Sequence, residues 1–307
     1  MLLLLLQVAA PLLLFIAVAV PCRSRILKGV QTIAAASYLV AVHRAGLWLD
    51  LPSWTVWLLW MSFGLAILWG LTSQPSGKRG RWQQNSALVV WCVVALGSGW
   101  LAIEAILGGI PPQAPVVDLA NPLPPGRYMV VNGGSNSLVN AHFETLHPKT
   151  RRQALYRGQS YGVDIVGLYP NGMISHSWRP KLPNQYAIFG TSIISPCDGE
   201  VIETMEERPD MPIPQADESV MTGNVVALRC GQVQVLLAHM RCGSVIVHPR
   251  QSVRTGQKLG EVGNSGNTGA PHLHIHAQQL GPPGSIFAAD PLPIRIGGRY
   301  PVRGNGL

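Results

Sequence analysis

Two hydrophobic regimes divide the chain. Before position 110 the apolar positions run in long, nearly unbroken blocks. Residues 1–20 (MLLLLLQVAAPLLLFIAVAV) carry no charge, and residues 51–72 and 87–109 are each long enough to cross a bilayer core of about 30 Å. A fourth block, at about 29–49, is interrupted by His43 and Arg44. Beyond 126 the blocks shorten to strand length: RYMVVNGG, YGVDIVGLY, GEVIETM, NVVALRC, VQVLLAHM, SVIVH and HLHIHAQ. Gly, Pro, Asn and Asp punctuate them and little helical period survives, which predicts a mostly antiparallel all-β domain. RQALYRG predicts a short helical turn, and RPDMPIPQADESVMTG a polar loop between two strands. The sequence thus predicts an all-α transmembrane region of about four helices over 1–110, a β domain over 127–307, and a proline-rich, extended linker at 111–126.

Charge bears on topology. The first block lacks the basic n-region of a signal peptide and ends in a poor cleavage context (AVAVPCRSR), so it reads as a retained span. Basic residues cluster in two short loops, one holding Arg23, Arg25 and Lys28 and the other Lys78, Arg79 and Arg81. The positive-inside rule puts both loops in the cytoplasm. Four spans satisfy that, with the N-terminus and everything after 110 outside; three spans do not. The expected location is therefore the cytoplasmic (inner) membrane, multi-pass, with the β domain extracytoplasmic or periplasmic. Glu104, near the end of the last block, is either a functional intramembrane acid or an interfacial one. The net charge of +8 is partly this orientation signal. No basic stripe interleaved with aromatics accompanies it, so nucleic acid is not an expected partner. Of the five cysteines, Cys197, Cys230 and Cys242 fall in the outer domain, an arrangement compatible with one bridge and one free thiol. If Cys230 and Cys242 lie on two arms of a hairpin turning near Gly231, they are too far apart to pair.

Candidate chemistry concentrates in GAPHLHIH, where His272, His274 and His276 occupy alternate positions. On a strand all three rings share one face while Leu273 and Ile275 pack behind them. Imidazole on such a face points to a metal site or to proton transfer. Asp164 interrupts another apolar strand and His239 closes a third. A buried carboxylate needs a cation or several donors, and one zinc ion would account for the acid and the histidines together.

The run from about Pro196 to Leu292, with Tyr161–Val166, resembles the lysostaphin-type (LytM-like) zinc metallopeptidases that cleave cell-wall peptidoglycan. The resemblance is carried by Gly256–Gly260, Gly263–Gly269 and the His272-x-His274 pair, in that order and spacing. It implies that Asp164 and His274 are zinc ligands and that His239 and His272 are the catalytic histidines. It also implies peptide-bond hydrolysis by a metal-activated water, with the pKa of that water lowered to about 7 and no covalent intermediate. One position departs from the pattern. The family's first ligand is a histidine four residues before the aspartate, and here that position is Ser160. The segments NAH and GQSYGVD resemble a branch with Asn-x-His followed by Gln-x-Tyr-x-x-Asp. That likeness implies His142 as the third ligand, with Gln159 or Tyr161 lining the groove. His276 falls where the family often has glutamate, which suits a substrate contact or a ring that orients His274.

The same residues have plainer readings. His272 and His274 could be the polar face of an ordinary strand, Asp164 a strand-end acid, His239 a satisfied core histidine, and His142 a surface residue. His147, His176 and His248 read as solvated surface histidines, and GNSGNTG as a tight turn. Ser160 also keeps a second function open: a catalytically degenerate relative that binds wall or regulates other hydrolases. Peptidoglycan or another peptide is the expected partner, alongside the membrane.

Overall fold

The computed structural model describes residues 2–73, 81–281 and 286–307. These form two compact units, one of residues 1–47 and 53–107 and the other of residues 48–52 and 108–307.

In the first unit, four helices are long and apolar enough to cross a membrane: α1 (Leu2–Ala19), α2 (Arg25–Ala45), α3 (Thr55–Thr72) and α4 (Arg81–Leu107). Ser24 caps α2, its hydroxyl accepting from the Leu27 N–H. Lys28 donates its ammonium to the carbonyls of Val18 and Val20, satisfying the open end of α1. His43, which interrupts the apolar pattern, accepts at Nδ1 from the Trp60 indole at 2.9 Å, so α2 continues through it. Lys78 and Arg79 of the second basic loop lie outside the described residues.

The second unit is the β domain. Its strands are β1 (Val117–Leu119), β2 (Tyr128–Asn132), β3 (Val163–Gly167), β4 (Ser192–Ile194), β5 (Gly199–Met205), β6 (Asn224–Cys230), β7 (Val233–Met240), β8 (Ser252–Val253), β9 (Lys258–Glu261), β10 (Leu273–Gln279), β11 (Pro291–Leu292) and β12 (Ile294–Ile296). The main sheet is antiparallel and runs β2-β3-β10-β7-β6-β5-β8, with β11 added to β10. β4 pairs with β9, and β1 with β12 in parallel. RQALYRG contains the expected short helix, Arg151–Leu155, closed by a Thr150/Gln153 capping box.

One face of the sheet builds the core from Val163, Ile165, Leu237, Leu273 and Ile275, with Leu259 and Ile193 among the residues above them. Because side chains alternate, this burial fixes the register of β3, β7 and β10 and sends Asp164, His274 and His276 to the other face. That face is covered too: His274 and His276 are buried, so β10 is enclosed on both sides.

The segment 111–126, expected as an extended linker, is partly built into the domain. Its strand β1 pairs with β12, and Leu119 and Leu123 are buried in the core. Its alternating VVDL pattern lets it pair, which outweighs the proline content flanking it. Cys197 and Cys230 form a disulfide and Cys242 is a free, exposed thiol.

Candidate metal centre

Strand register assembles the site. Across β3 and β10, Asp164 is directly opposite His274, although 110 residues separate them in sequence. On the other side of β3, Asn132 of β2 is opposite Asp164, aligned by a register shift at Val131. On the other side of β10, His274 faces Ala238 of β7. His239 is the next residue and by strict alternation belongs with Leu237 on the core face. Here Asn224 pairs with Met240 and Val225 with Ala238, so His239 is the extra residue of a β-bulge, at φ +60°. The bulge turns its ring to the site side.

His142 arrives by a different route, on a single 3-10 turn, Ala141–Thr145. Asn140 caps that turn, accepting from the His142 N–H, and its amide donates to the carbonyls of Gly134 and Gly162. Ser160 accounts for the rest of the support. Its buried hydroxyl donates to the Arg157 carbonyl at 2.6 Å and accepts at 2.9 Å from the Thr145 hydroxyl, whose single proton is shared with the His142 carbonyl at 2.8 Å. Ser160, where the sequence resemblance implies a ligand, thus braces the turn that carries His142.

Three groups converge. His142 Nε2 lies 3.0 Å from Asp164 Oδ2, and His274 Nδ1 lies 2.8 Å from Asp164 Oδ1. One ligand atom from each of His142, Asp164 and His274 falls within 4.8 Å of the other two. Two imidazole nitrogens and a carboxylate, mixed nitrogen and oxygen donors, are the set a catalytic zinc site uses with one position left open. Gly162 makes the approach feasible, because a Cβ there would meet His274 Cε1 at 2.8 Å and His142 Cδ2 at 3.2 Å.

His239 and His272 flank this group, their ring centroids 4.6 Å apart, with His239 6.0 Å from His274. His239 Nδ1–H donates to the Ser265 carbonyl at 2.9 Å and His272 Nδ1–H to the Ala270 carbonyl at 2.9 Å. A carbonyl only accepts, so the proton sits on Nδ1 in both rings and Nε2 is the free nitrogen. The His272 Nε2 is 3.6 Å from Asp164 Oδ1, facing the carboxylate. GNSGNTG is the loop that supplies Ser265 and, through Thr268 and the adjoining Ala270, orients both rings.

The electrostatics suit cation binding. Burial alone would raise the Asp164 carboxyl. The neighbouring His142 and His272, with hydrogen bonds from His142 and His274, overcome it and hold the carboxyl well below its usual range. For His142 burial works downward, but Asp164 outweighs it and the pKa is raised. Desolvation lowers His239, His274 and His276, helped by mutual repulsion, so these rings stay neutral with lone pairs available. The site opens at one edge: the His142 and His272 side chains retain 19% and 16% of their surface, His274 only 4%.

His276 is buried, with Nδ1 2.9 Å from His274 Nε2. Tyr161 stacks edge-on against Phe143 at 5.9 Å, half-buried beside the turn, and Gln159 is likewise half-buried. His147, His176 and His248 are exposed and distant from the cluster's hydrogen bonds. Sequence reading missed Asn132 and Arg303. Asn132 donates to Asp164 Oδ2 at 2.8 Å, and the guanidinium of Arg303, brought down to about 10 by burial against the pull of Asp164, bonds Asn132 Oδ1. Neither residue stands in a metal-ligand spacing, so no local signal marks it.

Residues 185–284 match the model of Peptidase family M23. No curated protein matches the chain. Among solved structures, the antimicrobial peptidase lysostaphin from Staphylococcus simulans is 20% identical over 42% of this chain and 41% of its own, with a TM-score of 0.28. A zinc containing peptidase from Vibrio cholerae is 20% identical over 34% and 31%, TM-score 0.23, and a putative peptidase M23 from Pseudomonas aeruginosa 17% over 59% and 51%, TM-score 0.29. The chain thus spans about two fifths of the lysostaphin chain. The matched segment contains His239, His272 and His274, whereas Asp164 and His142 lie before it. The β domain of this chain therefore carries, over residues 185–284, the sequence pattern of Peptidase family M23.

Proposed function

We propose that this protein is a membrane-anchored zinc metalloendopeptidase that hydrolyses peptide bonds in peptidoglycan, with the β domain extracytoplasmic. The observation that carries the reading is the convergence of His142, Asp164 and His274 on one point, with two further histidines beside them. In this reading His142 Nε2, an Asp164 oxygen and His274 Nδ1 hold the zinc. When bound there, zinc supplies Lewis-acid polarisation of the scissile carbonyl and activation of the attacking water. His239 and His272 act through Nε2. His239, kept neutral by burial, accepts the proton released by water, and His272, at the open edge, orients that water by accepting a hydrogen bond from it. The backbone carbonyls of Ser265 and Ala270 hold both rings in the required tautomer.

The test is zinc stoichiometry of the purified full chain in detergent, followed by parallel digestion of sacculi and casein. About one zinc, removable by His142→Ala, with release of wall peptides, is the expected result. A wild-type protein that takes up no zinc yet binds sacculi would favour the degenerate wall-binding relative. Casein cleavage without wall cleavage would redirect the substrate assignment to proteins.

A further inference from the structure

We infer that Arg303, near the C-terminus, and Asn132, at the end of β2, form a positioning pair that sets the geometry of the metal centre from outside the family-matched segment. The inference rests on the reading that Asp164 and His142 hold the zinc. His142 is not on a sheet strand, so the register that aligns Asp164 with His274 does nothing to align His142 with either. Something must tie the 3-10 turn to the sheet, and Asn132 is placed to do so. Its Nδ2 donates to Asp164 Oδ2 at 2.8 Å, and its Oδ1 accepts from the Ala141 N–H, next to His142, at 3.3 Å.

Arg303 fixes which way that amide faces. Its Nη2 donates to Asn132 Oδ1 at 2.8 Å, Nε to the Val131 carbonyl at 2.8 Å and Nη1 to the Leu138 carbonyl at 2.9 Å. With Oδ1 taking two donors, a flipped amide would set its NH2 against a guanidinium and a backbone N–H, so Nδ2 stays aimed at the carboxylate. The other two bonds bridge the bulge at Val131 to the segment leading into the His142 turn. A planar fork holds its donors at fixed angles toward acceptors spread around it, whereas an ammonium is a compact charge with rotatable donors. The guanidinium is buried, so removing it orphans two carbonyls and frees the amide together.

The experiment measures zinc affinity of the full chain in detergent by chelator competition, for wild type, Asn132→Leu, Arg303→Gln, the double variant and His142→Ala. Folded protein is verified by circular dichroism at the assay temperature. Each single variant is expected to lose about ten- to a hundred-fold in affinity, the range for residues that orient metal ligands. The double variant is expected to lose no more than the worse single, because Arg303 acts through Asn132. Should Arg303→Gln not fold, Asn132→Leu, which leaves the Arg303 bonds to the Val131 and Leu138 carbonyls intact, carries the test alone. Singles within about threefold of wild type, or losses that multiply in the double, would overturn the pair. If His142→Ala alone loses zinc, only the positioning inference fails; if His142→Ala binds as wild type does, the ligand reading beneath it fails as well.

Discussion

Gly162→Ala isolates the packing of the two ligand rings. The glycine precedes β3 by one residue, and its φ lies outside the left-handed region, so alanine meets no backbone penalty. The new methyl would lie 2.8 Å from His274 Cε1, 0.6 Å inside the 3.4 Å limit of ordinary contact, and 3.2 Å from His142 Cδ2. It would also lie 2.8 Å from the Gln159 carbonyl, which is backbone and yields little. The His274 ring therefore has to move by about half an ångström, more than the roughly 0.2 Å that metal–ligand distances tolerate. Overpacking costs about 1–3 kcal/mol, partly offset by about 0.4–1 kcal/mol from reduced freedom of the unfolded chain, so thermal stability should drop only slightly. Zinc affinity should drop much more, by about 1.4 kcal/mol for each tenfold and by one to two decades in all. Chelator competition and the visible spectrum of a cobalt-substituted protein both read this directly. Gly269→Ala is the control, since a Cβ there meets open space. Wild-type zinc affinity in Gly162→Ala, in a protein where His142→Ala still abolishes binding, would refute the claim that this glycine sets the ring approach.

Three other outcomes follow from the same geometry. Ser160→Ala should cost about 1–2 kcal/mol of stability through two lost hydroxyl bonds but leave zinc bound, whereas His142→Ala should lose zinc; equal loss in both would make Ser160 a ligand. In metal-stripped protein, His239, His274 and His276 have folded pKa values below the unfolded value. The stability they contribute is present above about pH 6.5 and is lost as pH falls from there through their lowered folded pKa values. His142, raised, has the opposite sense: its contribution is present below about 6.5 and lost as pH rises through its folded pKa. Three groups against one predict net destabilisation between about pH 7 and 5, read by denaturant melts; a rise in stability over that range would contradict it. Reduction of Cys197–Cys230, which closes a 33-residue separation, should cost roughly 3–4 kcal/mol by loop entropy, with Cys242→Ser without effect on the melt.

The sequence by itself determined what depends on local period. Long apolar blocks, one of them interrupted by His43 and Arg44, marked the four candidate membrane-crossing helices, and alternation in HLHIH placed three rings on one face and two aliphatics in the core. The order and spacing of Gly256–Gly260, Gly263–Gly269 and His272-x-His274 carried the family resemblance. Tertiary structure decided what depends on register between segments far apart in the chain. Alternation gives His239 the wrong face, and a bulge against Asn224 and Val225 turns it back. The spacing before Asp164 leaves Ser160 where a ligand is expected, and only the folded turn shows that serine bracing His142. Pairing of β1 with β12 converted an expected linker into part of the core. Arg303 and Asn132 are 171 residues apart and neither fits a motif. The physical reason is common to all four: local period tells which face a side chain takes, but hydrogen bonds between segments far apart in the chain, strand register among them, set what it meets there.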